Sequence, residues 1–151
     1  MFNRNRPSAL SLAEYGPSVA VPRILDLLDQ YRIPASFYIP GQVAETHPEM
    51  VKEIDRRGHE IAAHGYMHEA PPSLKHDEEV EILERSIKIL SDLTGRAPTG
   101  FRSPAADLGP DTLDILQDHG IVYDTSLMGH DEPYWVESPA GAKLVEVPFH
   151  W

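Results

Sequence analysis

His59-Glu60-Ile61-Ala62-Ala63-His64-Gly65-Tyr66-Met67-His68 is the stretch on which the fold turns. Residues 59–64 read as a short strand, and the strand ends on a histidine followed at once by a glycine able to make a tight bend. On its N-terminal side, Pro48 opens a helix through residue 57. Met50, Val51 and Ile54 form its apolar stripe and Gly58 its stop. Further out, residues 21–31 read as a helix with Pro22 in the first turn, and Ile24, Leu25, Leu28 and Tyr31 share one face. Residues 35–39 follow as a buried strand that Pro40-Gly41 ends. Downstream, a helix over 77–93 carries Val80, Ile82, Leu83, Ile87 and Leu90 at helical period, with Asp77-Glu78-Glu79 at its positive end.

A short strand over 99–103, a helix over 110–119, a strand over 121–124 and a last strand over 144–149 complete the pattern. Residues 1–10 read as irregular. Helix and strand alternate across short connections, which predicts an α/β fold with a mostly parallel sheet. In such folds chemistry collects at the carboxyl ends of the strands.

The chain has 151 residues, 41% of them hydrophobic, and is expected to form a single domain. That length lies below the roughly 200 residues of a complete eightfold barrel. With 13 Lys+Arg against 24 Asp+Glu the net charge is −11 and the basic residues are scattered, so neither nucleic acid nor an anionic membrane surface is an expected partner. No cysteine is present, so any metal must be held by histidines and carboxylates. No apolar run approaches the ~18 residues of a membrane span and no leader-like segment follows Arg4 and Arg6, which makes a cytoplasmic location the default.

The polar residues at strand ends carry the candidate chemistry. His64 and His68 stand either as two imidazoles converging on one divalent cation or as a hydrogen-bonded loop. Arg102, in Gly100-Phe101-Arg102-Ser103-Pro104, either orients a carboxylate beside such a site or pairs with Asp107. Asp124 either accepts hydrogen bonds from substrate or from Arg102, or caps the Thr125-Ser126 turn. Tyr134 and Trp135, in a loop after Asp131-Glu132-Pro133, form either a sugar-stacking wall or a cover of folded-over rings. His47, His59, His76 and His119 read as surface or capping residues. His150 faces the site or turns away according to a register that the sequence leaves open.

These motifs, in this order, resemble the polysaccharide deacetylase (NodB-homology, carbohydrate esterase family four) family. His64-Gly65-Tyr66-Met67-His68 matches its metal-binding histidine motif and Phe101-Arg102-Ser103-Pro104 its arginine–proline motif. Glu14-Tyr15-Gly16, Tyr123-Asp124-Thr125-Ser126 and Asp131-Glu132-Pro133-Tyr134-Trp135 look like the branch of peptidoglycan-deacetylase-like and allantoinase-like proteins. The resemblance runs from about Leu10 to Trp151.

It implies a distorted (β/α) barrel, here partial. It also implies metal-dependent hydrolysis of carbon–nitrogen bonds: N-deacetylation of amino-sugar polymers such as peptidoglycan or chitin-type glycans. The alternatives are an allantoinase-like hydrolase of a small amide and a catalytically silent remnant. In the family two histidines and an aspartate hold the metal, usually zinc, while a neighbouring aspartate acts as base on the metal-bound water. Carried over, His64 and His68 are metal ligands, Arg102 orients the base, and Tyr66, Asp124, Tyr134 and Trp135 belong to the substrate-facing rim.

The family's aspartate pair lies on a strand upstream of the segment matching residues 11–16. Residues 1–10 contain no Asp or Glu, so base and third ligand have no matching position. Glu14 and Asp107 are the acids considered as substitutes. His150 is not where the family places its general acid. The chain therefore reads as truncated at both ends. A first strand removed in this way leaves a sheet edge free, and homo-oligomerisation is the expected consequence.

Overall fold

The computed structural model describes residues 7–150. Strand β1 (Ser36–Ile39) pairs in parallel with β2 (Glu60–Ala63), and β2 with β3 (Gly100–Phe101). Next come β4 (Tyr123–Asp124) and β6 (Lys143–Glu146), also parallel, with β5 (Tyr134–Glu137) antiparallel to β6 at the far edge. In the sheet order β1-β2-β3-β4-β6-β5 the parallel strands β1, β2, β3, β4 and β6 follow one another in chain order, and only the antiparallel β5 folds back at the edge. A doubly wound sheet would reverse at a switch point; steady progression is the winding of a barrel segment. The expected α/β architecture with a mostly parallel sheet is therefore present.

Helices α1 (Pro7–Tyr15) and α2 (Val21–Tyr31) precede β1, and α3 (Gly41–Thr46), α4 (Pro48–Arg56), α5 (His76–Thr94) and α6 (Thr112–Asp118) separate the first four strands. Parallel strands joined by right-handed crossovers receive their helices on one face. Alternate strand positions, Ile39, Ile61, Ala63, Phe101 and Leu144, accordingly bury themselves with Val51, Ile54, Leu83, Leu90, Ile115 and Leu116 from α4, α5 and α6. The opposite face carries Ser36, Tyr38, Glu60 and Tyr123. There Tyr123 donates to Glu60 Oε2 at 2.8 Å and meets the Tyr38 hydroxyl at 3.2 Å, and Ser36 also donates to Glu60.

Several expectations are corrected. Residues 7–10 are helical, because Pro7 suits a first turn and Ala9, Leu10 and Leu12 are good helix formers; residues 1–6 lie outside the described residues. β1 is not a buried strand: it occupies the sheet edge and buries only Ile39. On α2 only Leu25 is buried, while Ile24 and Tyr31 are 46% and 62% exposed, so the apolar stripe there is wider than the contact it makes. Residues 131–135 are not all loop. Tyr134 and Trp135 open β5, which returns through Ser138 and Gly141 to β6; β6 itself ends at Glu146 rather than 149, although Val147 N and Phe149 N, on either side of Pro148, still donate to the Asp124 and Leu127 carbonyls at 2.8 and 3.4 Å. His59 is buried against the Phe37 ring, at 4% exposure, rather than on the surface. Among the described residues no helix is long and apolar enough to cross a membrane.

Candidate active site

The parallel register that sets Ala63 beside Phe101 brings His64 and Arg102 out side by side at the carboxyl ends of β2 and β3. His64 Nδ1 lies 2.7 Å from the Arg102 carbonyl oxygen. A carbonyl only accepts, so Nδ1 carries the proton and Nε2 keeps its lone pair, the tautomer a metal-ligating histidine needs. The His68 ring stands edge-on to His64, with centroids 4.9 Å apart and planes at 77°. Burial pushes the His64 pKa below the ordinary imidazole value, and the neighbouring His68 and Arg102 act in the same direction against the carbonyl hydrogen bond. The ring is thus held neutral at physiological pH, ready to donate a lone pair.

The turn joining the two histidines is fixed from three sides. Glu69 Oε2 accepts from the backbone N–H groups of Tyr66 and Met67 at 3.0 and 2.8 Å. The Gly65 carbonyl accepts from Gly41 N at 3.0 Å and Ser86 Oγ at 2.9 Å, and the Tyr66 carbonyl from Gln42 N at 3.0 Å. Gly65 has φ 67°, and a Cβ there would come within 3.3 Å of Glu69 and Pro104. His68 is left-handed too, at φ 66°, as are Ala105 and Ala106 in the loop after Arg102. Non-glycine residues in this region store strain of order 1 kcal/mol or more, and such strain gathers where surrounding structure must hold a functional loop.

Arg102 does not pair with Asp107. Its Nε donates to the Thr125 carbonyl at 3.0 Å and its Nη2 to Thr125 Oγ1 at 2.9 Å. The guanidinium lies between the rings of Tyr38 and Phe149, at 5.0 and 4.7 Å from their centroids.

The remaining rim expectations change. Asp124 is fully buried and takes the capping role: its carboxylate accepts from Ser126 N at 3.1 Å and Ser126 Oγ at 2.7 Å, so it does not face substrate. Tyr66 turns outward between α3 and α5, donating to Glu45 at 2.6 Å while Arg85 stacks 3.7 Å over its ring. Tyr134 and Trp135 are successive residues of a strand and point to opposite faces, so they do not make one aromatic wall. Tyr134 is half-buried opposite Glu146, whereas Trp135 is 71% exposed on the face that carries Tyr123. His150 pairs with Asp131 at 3.6 Å.

Sequence reasoning overlooked Glu69 and Glu146. Glu146 had a signal: in Leu144-Val145-Glu146 it shares parity with a core leucine, so the strand period already places a carboxyl group on the apolar face.

Two imidazoles with one free Nε2 suit a divalent cation, yet among the described residues no group of three His, Cys, Asp or Glu converges. Neither Glu14 nor Asp107 completes a three-donor set with the histidines. The donors fit half of a tetrahedral site and not a whole one.

The profile of the polysaccharide deacetylase family matches residues 3–123. A peptidoglycan deacetylase of Helicobacter pylori is 40% identical over 131 residues, covering 86% of this chain and 45% of its own length. A Mycobacterium smegmatis protein crystallised under a polysaccharide-deacetylase designation superposes with a TM-score of 0.91 at 41% identity, over 97% of this chain and 51% of that one. An allantoinase structure superposes with a TM-score of 0.86 at 31% identity, over 97% of this chain and 48% of that one. The chain thus spans about half the length of the curated relatives it matches.

Proposed function

Because the chain belongs to the polysaccharide deacetylase family, we propose that it carries the histidine–arginine half of an N-deacetylase site acting on amino-sugar polymers such as peptidoglycan or chitin-type glycans. The observation that carries this reading is the junction of His64 and Arg102, where one side chain is oriented by the other's carbonyl. In this reading His64 and His68 hold a divalent metal, zinc being the one the family resemblance implies. Arg102 positions a carboxylate base, and Trp135 offers an exposed ring for a sugar to stack on. Among the described residues no carboxylate joins the two histidines as third ligand or base. A second reading, hydrolysis of a small cyclic amide, draws support from the allantoinase neighbour.

Acetate release from N-acetylated chitooligosaccharides and peptidoglycan fragments, measured beside allantoin consumption in the presence of Zn²⁺ or Co²⁺, separates the two. Acetate release that falls about 10²-fold or more in His64→Ala supports deacetylation. Consumption of allantoin alone favours the second reading. Acetate release indifferent to both His64→Ala and His68→Ala contradicts the proposed site.

A further inference from the structure

Beneath the site, on the helix side of the sheet, Asp124 and Glu146 sit opposite each other in the β4–β6 register, and both are fully buried. Glu146 Oε1 accepts from Leu127 N at 2.9 Å, while Glu146 Oε2 is buried with no partner other than Asp124. Asp124 accepts from Ser126 N and Oγ, and Ser126 Oγ in turn accepts from Ser103 N at 2.8 Å. Two consecutive residues, Ser126 and Leu127, are therefore gripped from below by the two carboxyl groups, while Thr125, between them and Asp124, donates its N–H to the Phe101 carbonyl at 3.1 Å. Thr125 is the residue on which both Arg102 hydrogen bonds land. A continuous set of contacts leads from Glu146 through this turn to the Arg102 guanidinium, and through Ser103 to the backbone that orients His64.

Two buried carboxylates in contact cannot both be ionised, and a single shared proton turns their repulsion into a hydrogen bond. We propose that Glu146 is a positioning residue: with Asp124 it forms a carboxyl pair sharing one proton, and the pair locks the 125–127 turn that holds Arg102 in place. This deepens the reading of His64 and Arg102 as site residues and rests on it.

The proton belongs mainly to Glu146, whose pKa is pushed up to about 8 by burial first and by the Asp124 carboxyl second, against the Leu127 N–H and Arg102. The Asp124 pKa is raised by burial and opposed by its Ser126 hydrogen bonds. The other groups facing the pair are few. Arg102 lies above it, Tyr134 stands across the hairpin, and α6, packed on β6, commits Asp114 to Ser138. A carboxyl group whose pKa rises on folding contributes stability below its unfolded value and loses it as pH climbs through the folded one. The lock is thus closed at acidic to neutral pH and opens above about 8.

The test is the hydrogen-exchange protection of the Arg102 Nε–H by nuclear magnetic resonance, in the whole chain, as a function of pH. Core amides of α5 and α4 serve as internal controls. Because turnover is not read, a chain without deacetylase activity gives the same answer, and the two claims fail separately. In the native protein, protection of Arg102 falls above about pH 8 while the core amides keep theirs. Glu146→Gln, which accepts from Leu127 and donates to Asp124 at every pH, retains protection through that range. Glu146→Leu loses about tenfold at all pH values. Protection in Glu146→Gln that follows the native profile overturns the proposal, and so does Glu146→Leu within about twofold of native. If Glu146→Leu fails to fold, the Glu146→Gln profile decides alone.

Discussion

Gly100→Ala is expected to destabilise the chain by on the order of 3 kcal/mol, the upper part of the range for overpacking a close-packed site. A Cβ at position 100 would lie 2.2 Å from Tyr123 Cζ and 2.3 Å from its hydroxyl oxygen. No rotation of the methyl group relieves this, and Tyr123 is held by Glu60 on one side and Tyr38 on the other. The phenol crosses over β3 because glycine leaves the space. Moving it costs the hydrogen bond to Glu60 and shifts Tyr38, which lies against the Arg102 guanidinium. Urea unfolding measures the loss. The double mutant with Tyr123→Ala separates collision from intrinsic backbone effects: with the ring gone, Gly100→Ala should cost no more than about 1 kcal/mol. A single mutant within about 0.5 kcal/mol of native would mean that the ring is free to move aside.

Arg102→Ala carries the second large effect, on function more than on stability. It removes two hydrogen bonds to Thr125 and the cation between Tyr38 and Phe149, while leaving the carbonyl that orients His64. Misplacement of a positioned group by about 1 Å is enough for a 10²-fold loss, so under the proposed N-deacetylase reading acetate release should fall about that far or further. Arg102→Lys should not recover it, because an ammonium lacks the planar fork that reaches both Thr125 oxygens. Full recovery by lysine would reduce the role of Arg102 to charge alone.

How much of this the sequence discloses follows from the range of each interaction. Helices α2, α4 and α5 and strands β2 and β4 are written locally, in apolar periods, prolines in first turns and left-handed glycines at 58, 95 and 120. The His64–Arg102 pair is legible as motifs, since each residue ends its own strand. What joins them depends on register between segments 38 residues apart, which no local pattern records. The same limit explains Asp124. From sequence it is equally a rim residue or a turn cap, and burial by β6, a strand contributed from further along the chain, decides for the cap. The orientation of Tyr66 is hidden for a different reason. Its partners Glu45 and Arg85 lie on two helices flanking the turn, so its position in the motif says nothing about where its ring goes. The loop placement of Tyr134 and Trp135 fails because the acidic, proline-containing lead of β5 masks a four-residue strand.

The most direct test of the histidine–arginine half-site is a Co²⁺ or Zn²⁺ titration in which every histidine is followed by nuclear magnetic resonance. The two-donor geometry predicts a saturable response of His64 and His68 together, of modest affinity, lost in either His64→Ala or His68→Ala. Metal that perturbs His47, His76, His119 or His150 while leaving His64 and His68 unmoved, or that binds His64→Ala as well as the native chain, would contradict it.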